Sequence, residues 1–110
     1  MGRRPKFRVE WAATARADLD AIVEYVAQRD ILAALSVLGS LERTAGRLTA
    51  MPLRGRVVPE LAAVGVHGYR EVMHSPWRII YRTSGDTVSV LAVVDCRRDL
   101  EDLLLERFVR

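Results

Sequence analysis

The spacing of hydrophobic positions changes along this chain, and each change marks an element. Phe7, Val9 and Trp11 alternate with Arg8 and Glu10, the period-two pattern of a half-buried strand. From about Ala13 the period becomes helical. Ala15, Leu19, Ile22, Val23 and Val26 share one face, with Arg16, Asp18, Asp20 and Glu24 largely on the other. Asp30 is placed to cap a second helix, since its short carboxylate can accept from the unpaired N–H groups of a first turn. In that helix Ala34, Leu35, Leu38, Leu41, Ala45 and Leu48 form one apolar stripe. The short break between the stripes predicts an antiparallel helical hairpin. Met51-Pro52 ends it, because proline disfavours the helical conformation in the residue before it.

The region from Leu53 to Gly68 contains Gly55, Pro59, Gly65 and Gly68 and reads as a connection rather than regular structure. It is long for a loop in a compact domain, and such loops tend to be functional. Three strands follow. Tyr69 to Met73 leads to a turn at His74-Ser75-Pro76, Trp77 to Thr83 ends at the hairpin signal Ser84-Gly85-Asp86, and Thr87 to Val94 is the richest in β-branched residues. Asp99 to Val109 then reads as a helix with Leu100, Leu103, Leu104 and Phe108 on one face, Asp99 as its cap, and Arg107 and Arg110 suiting the negative end of its dipole. The order β-α-α-β-β-β-α predicts one α+β domain over residues 1–110: a small twisted, mainly antiparallel sheet packed on an N-terminal helical hairpin, with a C-terminal helix. The other sheet face is expected to be partly open. Alternation puts Arg78, Ile80 and Arg82 opposite Trp77, Ile79 and Tyr81, and Arg70 and Val72 opposite Tyr69, Glu71 and Met73. The arginine side of each strand is therefore the candidate for the open face.

Composition adds bounds to this picture. The chain has 110 residues, 50% hydrophobic and 28% charged, which is ordinary globular usage and excludes general disorder. A net charge of +3 and a pI near 9.6 admit an acidic or nucleic-acid partner without requiring one. The single cysteine, Cys96, excludes an internal disulfide and suggests a reducing compartment. The apolar run Val90 to Val94 is far too short to span a membrane, and no apolar signal core follows the basic stretch Met1 to Lys6. A cytoplasmic location is the simplest expectation, with no membrane partner.

Candidate chemistry narrows to arginine. His67 and His74 share no ligand spacing with a cysteine or a carboxylate cluster, so no metal site is expected. Cys96, next to Arg97 and Arg98, lacks a positioned base and reads as an incidental thiol. Gly55, Gly65 and Gly68 lack the spacing of a phosphate-binding loop, and no cofactor is expected. Arg54, Arg56, Arg70, Arg78, Arg82, Arg97 and Arg98 remain, all in the loop, the strands or the strand–helix junction. Guanidinium groups clamp phosphate bidentately and can stabilise charge on a transferring phosphate. The bland alternative for each is a salt bridge to Glu60, Glu71, Asp86, Asp95 or Asp99.

The order of elements, with Gly55-Arg56-Val57-Val58-Pro59-Glu60-Leu61, Tyr69-Arg70-Glu71, Trp77-Arg78-Ile79-Ile80-Tyr81-Arg82 and Asp95-Cys96-Arg97-Arg98-Asp99-Leu100, resembles the ParE/RelE superfamily of type II toxin–antitoxin toxins. The resemblance covers nearly the whole chain and is strongest from Gly55 to Arg107. It implies a small growth-inhibiting toxin, of the kind found in plasmid stabilization systems, neutralised by a cognate antitoxin. Two activities occur on that fold, gyrase poisoning in ParE-like members and ribosome-dependent mRNA cleavage in RelE-like members. For the nuclease alternative the resemblance points to Arg78 and Arg98 on phosphate and Glu60 as base. No histidine or tyrosine follows Tyr81, and arginine is a poor general acid, so the acid–base set is incomplete. The Arg-Arg-Asp-Leu junction running into a leucine-rich helix resembles ParE-like members, which makes DNA gyrase the expected target, with ribosome and mRNA as the alternative. A third reading is a relic that only binds its antitoxin. Arg56, Arg70, Arg78, Arg82, Arg97 and Arg98 are then the expected docking residues, without catalysis.

Overall fold

The computed structural model describes residues 6–98 and 100–109. Strand β1 (Arg8–Trp11) leads into α1 (Ala13–Ala27) and α2 (Ile31–Gly46), which ends in a single 3₁₀ turn at Arg47–Thr49. Asp30 caps α2 as its position suggested, accepting from the Ala33 amide at 3.1 Å. The stretch from Leu53 to Gly68 is not the plain connection expected. It holds a two-residue strand, β2 (Arg56–Val57), and a one-turn helix, α3 (Pro59–Ala62). Elements this short carry no periodicity, but Pro59 at the first turn is a helix start that the sequence displays, because its fixed φ suits that position. Strands β3 (Arg70–His74), β4 (Trp77–Ser84) and β5 (Thr87–Asp95) follow, then α4 (Leu100–Phe108). The expected cap Asp99 and the terminal Arg110 lie outside the described residues.

The five strands form one sheet in the order β1-β5-β4-β3-β2. Every neighbouring pair is antiparallel except β1 with β5, which run parallel from Arg8–Thr87 to Trp11–Val90. Ser84 pairs with Thr87, so Gly85 and Asp86 make a two-residue hairpin, with Gly85 at a φ of 59° in its first central position.

Both faces of the sheet are covered, which corrects the expectation of a partly open face. On one side Val72, Ile79, Tyr81, Val88, Val90 and Val93 pack against Ala15, Leu19, Leu41, Ala45 and Leu48 of the helical hairpin. On the other, Ile80, Ala92 and Val94 pack against Val58 and Leu61 around α3 and Leu100 and Leu104 of α4. Strand β5 serves both cores through a bulge. Ile80 pairs with Ala92 but Tyr81 with Val90, leaving Leu91 over, so the inward parity of β5 reverses there. Val90 and Val93 therefore join the hairpin-side core and Ala92 and Val94 the other, and all four are buried because both faces are covered.

The α2 stripe is only partly inward. Leu41, Ala45 and Leu48 are buried, while Leu35 is 58% exposed, beside Ile31 and Leu32 near the start of α2. These three side chains leave an exposed apolar surface at the start of α2.

Helix α4 is fixed to the rest of the molecule by Asp18. Its carboxylate accepts from Arg107 at 3.0 Å and from the Val93 amide at 3.0 Å. Beyond Trp11, β1 no longer covers β5, and α1 supplies the partners instead: Asp18 for Val93 N–H and Thr14 Oγ1 for Leu91 C=O at 3.2 Å.

Candidate functional site

Register, rather than sequence alternation alone, decides which arginines meet. Met73 faces Arg78 and Glu71 faces Ile80 across β3 and β4, so these four share the α3 side of the sheet. Arg70 pairs with Tyr81 and therefore lies on the hairpin side. The sequence reading grouped Arg70 with Arg78 as one working face. The structure separates them, since alternation within a strand leaves the neighbouring strand's parity free until pairing is known.

Arg78 is the centre of an ion-pair network beneath α3. Its two terminal nitrogens donate to the two Glu60 oxygens at 2.8 and 2.9 Å, a bidentate pair, and Nη1 also donates to Glu71 Oε1 at 2.9 Å. Arg56 Nε donates to the other Glu71 oxygen at 2.6 Å. The Glu71 side chain is 0% exposed and that of Arg78 only 13%. A carboxylate so enclosed must be paired, and both its oxygens are. The bond to Arg78 holds the Glu60 carboxyl below the usual carboxylate range, against the opposing effect of burial. Glu60 in turn raises the Arg78 pKa further, again against burial. Three of the residues predicted to work together, Arg56, Arg78 and Glu60, do meet here, joined by Glu71. They meet as an internally neutralised cluster, with two carboxylates for two guanidinium groups.

The other predicted residues lie elsewhere. Arg82 is exposed, its guanidinium 5.5 Å from the Tyr69 ring centroid in a cation–π contact. Arg97 pairs with Asp95 through Nη2 at 2.7 Å, and that bond holds the Asp95 carboxyl down to about 2. Arg98 is exposed. It lines, with Arg97 and Arg107, a groove of about 580 Å³ between α1 and the β5–α4 junction, whose apolar wall includes Ile22, Tyr25, Val26 and Trp77. Arg70 Nη1 donates to the Gly55 carbonyl at 2.8 Å.

Gly55 is the close contact that sets this region. Its amide donates to the buried Tyr81 hydroxyl at 3.0 Å. A Cβ added there would stand 2.5 Å from the Glu71 carbonyl oxygen and 2.6 Å from the Tyr81 hydroxyl, too near for any side chain. Burial pushes the Tyr81 phenol up, opposed by the Gly55 bond and by Arg70 and Arg54, so it remains a neutral hydroxyl. Tyr81 was read from the sequence only as an apolar-face residue. Its role as the partner of Gly55 had no local signal, because the two are 26 residues apart. Glu71 was likewise marked only as a possible salt-bridge partner, although its place inside a strand otherwise built to be buried was the clue.

A hairpin-and-sheet layout of this kind is shared with solved toxin–antitoxin structures. One structure with this fold is the chromosomal ParDE toxin–antitoxin system from P. aeruginosa, matching at a TM-score of 0.66 with 22% identity over 84% of this chain and 98% of that one. Another is the toxin–antitoxin complex RelBE2 from Mycobacterium tuberculosis, at a TM-score of 0.60 with 23% identity over 82% of this chain and 98% of that one. Sequence narrows the assignment. Residues 9–100 match the family model for the ParE toxin of type II toxin–antitoxin system, parDE. Toxin ParE3 of Caulobacter vibrioides is 31% identical over 84 residues, 76% of this chain and 80% of the relative. The chain belongs to the ParE family of type II toxins. No helix among the described residues is long and apolar enough to cross a membrane.

Proposed function

We propose that this toxin arrests growth by engaging DNA gyrase, without cutting RNA, and is neutralised by a cognate antitoxin. The observation that carries the reading is the state of Arg78. Phosphoryl transfer on RNA needs donors free to meet the phosphate and a base free to take the ribose proton. Arg78 is 13% exposed and donates to both Glu60 and Glu71, and Glu60 is held ionised in the same pair. The terminal nitrogens of Arg78 are already engaged by these carboxylates, and α3 packs over the sheet face it stands on. Arg98 lines the groove beside α1, whose lining does not include Arg78, Glu60 or Glu71. Membership of the ParE family supports the same choice of target.

The antitoxin fits the groove beside α1. Its wall carries Tyr25, 66% exposed, and its rim carries Arg98 beside the Arg97–Asp95 and Arg107–Asp18 pairs, a net positive edge that suits an amphipathic segment with acidic flanks that orders on binding. Charge of this kind acts mainly on association rate, so antitoxin binding is expected to slow as salt rises.

A supercoiling assay tests the target. Purified toxin is expected to inhibit gyrase or to trap cleaved DNA, and added antitoxin to reverse it. Normal supercoiling at excess toxin, or discrete transcript cuts when the toxin is induced in cells, would overturn the proposal.

A further inference from the structure

A second cluster of arginines lies at the β2–β3 end of the sheet, around a polar notch of about 310 Å³ whose lining includes Arg47, Arg54, Arg56, Gly55 and Glu71. Strand β2 covers only Arg70 and Glu71 of β3, so β3 runs on past it and leaves this notch at the sheet edge. The close packing of Gly55 against Glu71 and Tyr81 holds the loop flat there, and Arg54 and Arg56 flank it on either side. The end of α2 brings Arg47 to the same notch.

The charge balance is one-sided. Glu71 is the one carboxylate lining the notch, and its two oxygens are already taken by Arg56 Nε and Arg78 Nη1. Among the described residues neither Arg47 nor Arg54 makes a side-chain hydrogen bond or ion pair, and Arg56 keeps both terminal nitrogens free on a side chain 63% exposed. A place at the negative end of α2 accounts for Arg47 alone. It does not account for Arg54 and Arg56 converging on it from a separate loop. Arg47 and Arg54 carry charge that no carboxylate among the described residues offsets, beside the Arg56–Glu71 pair whose arginine still has its terminal nitrogens to offer, and an anion seated between them relieves their repulsion.

We infer that this notch is a binding site for a phosphate group carried on a nucleic-acid backbone. Guanidinium groups match phosphate oxygens in pairs, and three donors set around an open rim suit a phosphate presented by an extended polyanion. A free phosphate would leave much of its surface in water at such a rim and would bind weakly. The site is independent of the gyrase reading: it is probed by direct binding and not by supercoiling.

The test is binding of a short labelled DNA duplex to the full chain, measured by fluorescence anisotropy across a salt series. Inorganic phosphate, a nucleoside monophosphate and a glutamate-rich peptide serve as competing probes. Arg47→Gln with Arg54→Gln is expected to weaken duplex binding by about a hundredfold, near tenfold for each charged contact. The slope of log K against log salt should fall by about two. Arg8→Gln with Arg29→Gln removes the same charge at other exposed positions and is expected to change affinity by less than about threefold. Thermal melts of both double variants confirm folding, since all four side chains are exposed. Equal losses in the two double variants would show only diffuse charge attraction and overturn the site. Tighter binding of the acidic peptide than of the duplex, or phosphate binding no weaker than duplex binding, would overturn the nucleic-acid assignment.

Discussion

Replacing Arg78 by alanine separates a structural network from a site kept for substrate. In the native protein the Glu71 carboxylate is fully buried and shares two arginines, Arg78 at 2.9 Å and Arg56 at 2.6 Å. Arg78→Ala removes the enclosed partner and leaves Arg56, whose side chain is 63% exposed and already partly solvated. Glu60 loses both of its bonds at the same time. Breaking a buried pair from one side costs about 3–5 kcal/mol, and the surviving Arg56 bond places this case near the lower end, about 3 kcal/mol. For a domain of about this size each kcal/mol lowers Tm by roughly 4–8 °C, so a drop of about 15 °C is expected. Circular dichroism melts and urea titrations read the change directly. The double variant Arg78→Met with Glu71→Leu takes out the buried charge as well as its partner, and should recover to within about 1 kcal/mol of the parent. An Arg78→Ala protein melting within about 2 °C of the parent, the range of an ordinary surface substitution, would refute the structural account.

Two further outcomes follow from the same corner of the molecule. Gly55→Ala forces a Cβ to 2.5 Å from the Glu71 carbonyl oxygen, a backbone atom that cannot swing aside, and strains the Tyr81 hydroxyl bond. A loss of about 2–4 kcal/mol by urea denaturation is expected from overpacking and the weakened buried bond, and a neutral result would contradict the packing described. Glu60 has its folded pKa below the ordinary 4.5, so its contribution to stability is full above about that pH and is lost as pH falls through the folded value. Acid titration should therefore show Glu60→Gln losing less stability than the parent below pH 4.5, and parallel curves would contradict it.

The sequence was most legible where one element carries its own period. The hairpin, its Asp30 cap and the inward face of β4 were all visible from spacing within single segments. Pairing was not. Arg70 and Arg78 look alike on their own strands, and only the Arg70–Tyr81 and Met73–Arg78 register shows that they stand on opposite faces. The bulge at Leu91 hides for a related reason, since the continuous apolar run Val90 to Val94 looks the same with or without an extra residue. Short elements escape too: α3 has four residues, less than two turns, so no periodicity can declare it, yet it covers the face that strand alternation left apparently bare. Of the arginines, residue type marked them as candidates, but their partners came from elsewhere in the chain. Arg78 meets a glutamate 18 positions earlier, beyond the reach of any local pattern.

The parallel pairing of β1 with β5 constrains when this toxin can be born. Arg8 and its strand partner Thr87 are 79 positions apart, so a growing chain makes its first strand long before the one it must lie against. The hairpin that follows β1 exposes Leu19, Leu41 and Leu48 for the same interval, because the strands they pack against are also synthesised later. Contacts of such long range close slowly, and only after most of the chain exists. A nascent chain therefore passes through a period as an unfinished, sticky precursor, in which its apolar helices are available to whatever binds them first.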